Sequence, residues 1–207
     1  MSKIHVDRMA AAVKKYYSEA QIAAEKMRRN NETYIKEAAD KENERIMHQL
    51  QTARRAAEDA IAEAQESGKN EALKWGELDG SKITDDARLL DFDISPEQYS
   101  KLVEKHRTNG TMLSLLKNYG DRQNEKYRQK EGKTGEMPKV YYPSGNIPTA
   151  EKKAEVYDKF AIGARNMLSD IDSSGHIGTG TDSAMLKTAV ENFGQPIGNA
   201  ANLLEMI

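Results

Sequence analysis

No glycine occurs before residue 68 and no proline before residue 96. A chain that withholds both helix breakers for so long, and fills the interval with Ala, Glu, Lys and Arg, is committed to helix. The pattern predicts one very long helix over residues 7–74, or two stacked ones. At ~1.5 Å per residue a continuous version would reach on the order of 90–100 Å. A rod of that length cannot bury its apolar side within a globule of 207 residues. It must find a partner, which points to assembly or binding rather than chemistry.

The rod supports its own helicity. Glu25–Arg29, Glu32–Lys36 and Glu37–Lys41 place an acid four residues before a base, each pair contributing roughly 0.2–0.5 kcal/mol. Its apolar seam runs through Val13, Tyr16, Ala20, Ala23, Met27 and Tyr34 in steps of three and four, with Asn30 in one seam position. Farther on, Ile46, Leu50, Ala53, Ala57, Ala60 and Ala64 repeat the stepping in another phase. Between them Tyr34, Ala38, Glu42 and Ile46 step by four, as at a stutter in a coiled coil. A seam rich in Ala and poor in Leu packs closely but weakly. The expectation is a bundle or a partner-dependent coiled coil, with Val13, Tyr16, Met27, Tyr34, Ile46 and Leu50 as partner-binding residues.

Beyond residue 75 the punctuation returns. Gly68, Gly76 and Gly80 end the rod, and 76–94 reads as an acidic linker. Glu77 to Glu97 carries seven acids against Lys82 and Arg88. Ser95-Pro96-Glu97-Gln98 has the form of a capping box with proline in the first turn. It opens a helical hairpin over 95–132, with Asn109-Gly110 as a left-handed stop and Thr111 capping the second helix. A Pro/Gly connector over 133–148 contains Tyr141-Tyr142-Pro143. A C-terminal helical module over 149–207 follows: Thr149 caps a helix whose buried face carries Val156, Tyr157, Phe160, Ala164 and Leu168. A helix over 182–193, a Gly194–Gly198 turn and a short last helix complete it. No segment reads as a strand. The fold class is all-α: a long N-terminal helix, coiled-coil or bundle-forming, then a small helical module.

Composition narrows the function. Charged residues are 31% of the chain, yet the net charge is −2, so neither a wholly basic nucleic-acid binder nor an acidic DNA mimic is indicated. Cysteine is absent, which removes disulfides, thiolate metal sites and a thiol nucleophile. No apolar run approaches the roughly 18 residues of a membrane span. The start, MSKIHVDRMAAAV, lacks a secretory core, and the expectation is a soluble, intracellular protein.

Three constellations bear on chemistry. Asp170-Ile-Asp172-Ser-Ser174-Gly175-His176-Ile177 matches the first eight positions of an EF-hand loop. Asp170, Asp172 and Ser174 would supply side-chain oxygens and His176 its carbonyl to a hard cation. Position twelve is Thr181, not glutamate, so the expected calcium binding is weak and no cofactor is required. The 96–129 helix pair admits a helix-turn-helix reading in which Lys117, Arg122 and Lys126 approach phosphates. Its apolar positions Leu113, Leu116 and Tyr119 favour a packed hairpin instead, and nucleic acid is an unfavoured partner. Asp85, Asp86, Asp91 and Asp93 read as solvated capping residues. The four histidines stand singly, no GxSxG elbow occurs, and the glycines of 175–180 lack the Lys-Ser/Thr of a phosphate loop. An enzyme is not expected.

The run Ser95-PEQYSKLVEKHRTNGTMLSLLKNYGDRQ-Asn124 resembles a helical hairpin in uncharacterised proteins of tailed phages and prophages of Gram-positive bacteria, about a seventh of this chain. The long charged helix is similar to phage scaffolding proteins. It departs from them at the C-terminus, where Gly194 to Ile207 carries Glu205 and no base. The resemblance implies a phage origin, with the host cytoplasm or the virion as location, and a role in virion assembly or host interference. With the rod mediating self-association, the preferred expectation is a non-enzymatic, scaffold-like or minor virion component that acts through protein–protein contacts as a homo-oligomer. Two alternatives are an inhibitor that binds a host defence nuclease and a DNA-binding regulator using the 96–129 hairpin.

Overall fold

The computed structural model describes residues 3–134, 147–174 and 180–205. Every regular element among them is helical. The order is α1 (Ile4–Thr33), α2 (Lys36–Gly76), two 3₁₀ turns (Gly80–Lys82 and Asp85–Asp91), α3 (Pro96–Lys105), α4 (Gly110–Thr134), α5 (Ala150–Ser174), α6 (Gly180–Asn192) and α7 (Asn199–Leu204). The chain divides into two compact units, Asn70–Ala154 and Ser2–Lys69 with Glu155–Ile207.

In the second unit the predicted rod is broken at Tyr34-Ile35 and folds back as an antiparallel hairpin. Asn43 bonds both Asn30 (3.0 Å) and Asn31 (2.8 Å) across the turn. α5 completes a three-helix arrangement. It runs antiparallel to α2, since Arg54 pairs with Asp172 while Gln65 and Lys69 both reach Asp158, at 2.6 and 3.0 Å. It runs parallel to α1, since His5 meets Tyr157 edge-on and Tyr16 bonds Asp172. The α5 face read from the sequence is the buried one: Val156, Tyr157, Phe160, Ala164 and Leu168 all lie inside. Gly68 lets the helices close up there, because a Cβ on it would sit 2.6 Å from the Tyr157 ring. α6 packs on α1, and Phe193 just beyond it meets Phe160 edge-on.

The first unit has its own core of Tyr99, Leu102, Val103, Leu113, Leu116, Tyr119, Ile94 and Ile147, with Trp75 and Leu90 against it. The capping box at Ser95 forms as read, with Pro96 in the first turn. The hairpin joint differs. Neither Asn109 nor Gly110 has a positive φ. Instead Asn109 caps α4, its Oδ1 accepting from Met112 N at 3.1 Å. Thr111, read as the cap, is fully buried; its hydroxyl donates to the Glu77 carbonyl and accepts from Asp79 N, both at 3.1 Å. The acidic segment is therefore held to α4. Tyr119 adds a second tie, donating to the Phe92 carbonyl and accepting from Ile94 N. The connector with Tyr141-Tyr142-Pro143 lies outside the described residues.

Candidate interaction surface on the N-terminal hairpin

The six seam residues separate into three groups. Val13, Tyr16 and Ile46 are core residues, closed off within the chain. The seam that looked open is thus largely occupied by the chain's own helices, because the break at residue 34 brings α2 and α5 onto α1. Met27 and Leu50 are half-buried. Tyr34, at the tip, is 54% exposed.

Met27 and Leu50 line a cavity of about 240 Å³ between α1, α2 and the end of α5. Ala20, Ala24 and Met27 come from α1, Met47, Leu50 and Gln51 from α2, and Ile171 from α5. The alanines are its cause: at i, i+4 on one face they leave space that a leucine seam would fill. A polar cluster closes one end, where Asp172 accepts from both Tyr16 and Arg54, and Arg54 also pairs with Glu58 at 3.1 Å. Burial pushes the Tyr16 phenol upward, with Arg54 opposing, so the phenol remains a donor at neutral pH. On the other side of Leu50 a hollow of about 160 Å³ is bordered by Ile22, Ala23, Lys26, Ile46 and Gln49. Ile22 is 53% and Ile35 78% exposed. The distal hairpin therefore presents to solvent Ile22, at the rim of the second hollow, and Tyr34 and Ile35, at the tip. Sequence spacing does not join Arg54, Met47, Gln51 and Asp172 into one site. Arg54 and Asp172 are 118 positions apart, and no local spacing signals such a pairing.

The other sequence-based sites are placed as follows. Asp170 and Asp172 lie on α5, which continues to Ser174, so the start of the expected cation loop is helical. Residues two apart on a helix point about 200° apart, and Asp172 is engaged by Arg54 and Tyr16. The Ser174 side chain and His176 lie outside the described residues. Lys117, Arg122 and Lys126 lie along α4 with partners: Lys117 pairs with Asp121 at 2.8 Å, Arg122 donates to the Asn118 carbonyl, and Lys126 reaches Asp93 at 3.5 Å. Among the described residues no group of three or more His, Asp or Glu is placed to hold a metal. None of their helices is long and apolar enough to cross a membrane.

The α2–α5 contact carries a pH dependence. The Gln65 amide, then the Lys69 ammonium, hold the Asp158 carboxyl below the usual aspartate range. A carboxyl with a depressed folded-state pKa adds stability above the ordinary aspartate pKa and loses it as pH falls through the folded value. Asp158→Asn is therefore expected to flatten the acid side of the stability curve below about pH 4. Urea melts of both proteins across pH 2–7 check this; parallel curves would refute it.

Comparison with protein-family models, curated proteins and solved structures yields no match to this chain.

Proposed function

We propose that this is a non-enzymatic phage protein that acts in virion assembly through protein–protein contacts made by the distal N-terminal hairpin, including contacts with its own copies. The observation that carries the reading is that three large apolar side chains of the distal hairpin are each more than half exposed: Ile22, which borders the second hollow, and Tyr34 and Ile35 at the tip. Large exposed apolar side chains on one end of a polar hairpin, one of them at the rim of a concavity, are a feature of protein interaction sites. The polar cluster Tyr16–Asp172–Arg54 fixes the three helices that frame it. The phage setting rests on the resemblance of residues 95–124.

The test is the triple variant Ile22→Ser/Tyr34→Ser/Ile35→Ser. It should melt within a few degrees of the parent, because the three residues contribute little burial. It should lose co-sedimentation with assembling capsid or tail particles and self-association in the ultracentrifuge. A variant that assembles as well as the parent would refute the surface. A protein that is a small stable oligomer and never accompanies particles would favour the inhibitor alternative.

A further inference from the structure

The joint between α1 and α2 is unusual for a tight helical turn. Only Tyr34 and Ile35 lie outside helix. Neither is glycine or proline, and no residue of the joint has a positive φ. Tyr34 departs from helix mainly in ψ, at 156° with φ at −102°, a rotation open to any L-residue. The flanking sequence favours helix on both sides. Glu32 and Lys36 stand at the acid-before-base spacing that a helix running through the joint would bring together; in the hairpin Glu32 pairs instead with Arg28 at 2.6 Å. The hairpin is thus held shut by α1's packing and by its bonds to Asn43, and not by a residue in the joint that bars helix.

What α1 packs into is equally specific. Val6, Met9, Val13 and Tyr16 are fully buried or nearly so; Val6 lies against Gly194, Tyr16 bonds Asp172, and His5 on the same helix meets Tyr157 edge-on. A groove shaped for that face accepts any chain that presents it, and a second copy presents it identically. We propose that two copies exchange α1: the joint straightens, α1 and α2 become one continuous helix, and each α1 occupies the other copy's groove. Every α1 contact is kept in trans. The two joints meet at the two-fold axis, where Tyr34 and Ile35, 54% and 78% exposed in the hairpin, face their symmetry mates. The occupant is a second copy of this chain. The exchange names the partner for the self-association in the reading above and rests on it.

The chain has no cysteine, so a single engineered pair reports connectivity. Asn30 and Asn43 touch across the hairpin. Asn30→Cys/Asn43→Cys would be refolded from denaturant at high concentration, fractionated by size, oxidised and run on a non-reducing gel. The exchange predicts a dimer fraction that is covalently linked between chains and a monomer fraction closed within one chain. In the cysteine-free background, Tyr34→Ala/Ile35→Ala should dimerise at least tenfold more tightly than Tyr34→Gly/Ile35→Gly, because only the continuous helix responds to helix propensity at the joint. A dimer whose disulfide lies within each chain would overturn the exchange while leaving the hairpin surface as an interface between intact molecules. A chain that stays monomeric with either joint would overturn the exchange and leave the proposed function only a different protein as partner.

Discussion

Gly110→Ala is expected to destabilise the 70–154 unit by about 3–5 kcal/mol, among the largest effects a single methyl group can have. A Cβ at position 110 would stand 2.0 Å from the carbonyl oxygen of Trp75 and 2.9 Å from its carbonyl carbon. Those are backbone atoms and cannot swing aside. The approach is fixed from both sides: the Trp75 indole N–H donates to the Thr108 carbonyl at 3.3 Å, and Thr111 is tied to Glu77 and Asp79. The Lys153 ammonium sits 4.3 Å from the centre of the Trp75 ring. Burial pushes that ammonium's pKa down, and Arg107 adds to the effect. Gly80→Ala is the control. A Cβ there meets nothing within 4 Å, and its cost should stay within about 0.5 kcal/mol. Denaturant melts followed by circular dichroism compare the two. A Gly110→Ala protein within 1 kcal/mol of the parent would mean that the two segments do not approach so closely.

Val13→Asp is expected to cost more than about 4 kcal/mol and to prevent folding of α1 onto its neighbours. Val13 has no exposed surface, and an unpaired carboxylate there has neither water nor a cation to replace it. Ile22→Asp on the same helix, 53% exposed, should change stability by less than about 0.5 kcal/mol while weakening association. The pair separates two pictures of α1. If Val13→Asp folds normally and loses only association, α1 is an open stalk, as its seam alone suggests. If it unfolds, α1 is core, as its burial indicates.

Much of the local architecture was legible because its causes are local. The capping box at Ser95, the cap at Thr149 and the apolar face from Val156 to Leu168 depend on neighbours three or four positions apart, and each forms as read. The Asn109-Gly110 joint shows the boundary of that logic. Its residue types suit a left-handed stop, but the backbone that excludes a Cβ from position 110 comes from Trp75, 35 positions away. The candidate surface was partly legible: Met27 and Leu50 line its cavity and Tyr34 stands exposed at the tip, whereas Val13, Tyr16 and Ile46 are buried among the chain's own helices.

The sequence alone determined that this chain is helical throughout its described elements, where most helices begin, and which faces are apolar. Helix propensity and capping act within a turn or two. Only the tertiary structure decided what covers those faces. An alanine-rich seam is equally complementary to a neighbouring molecule and to the chain's own next helix. The choice falls to the backbone turn at Tyr34 and to pairings such as Arg54 with Asp172, whose members are far apart in sequence and adjacent only after folding.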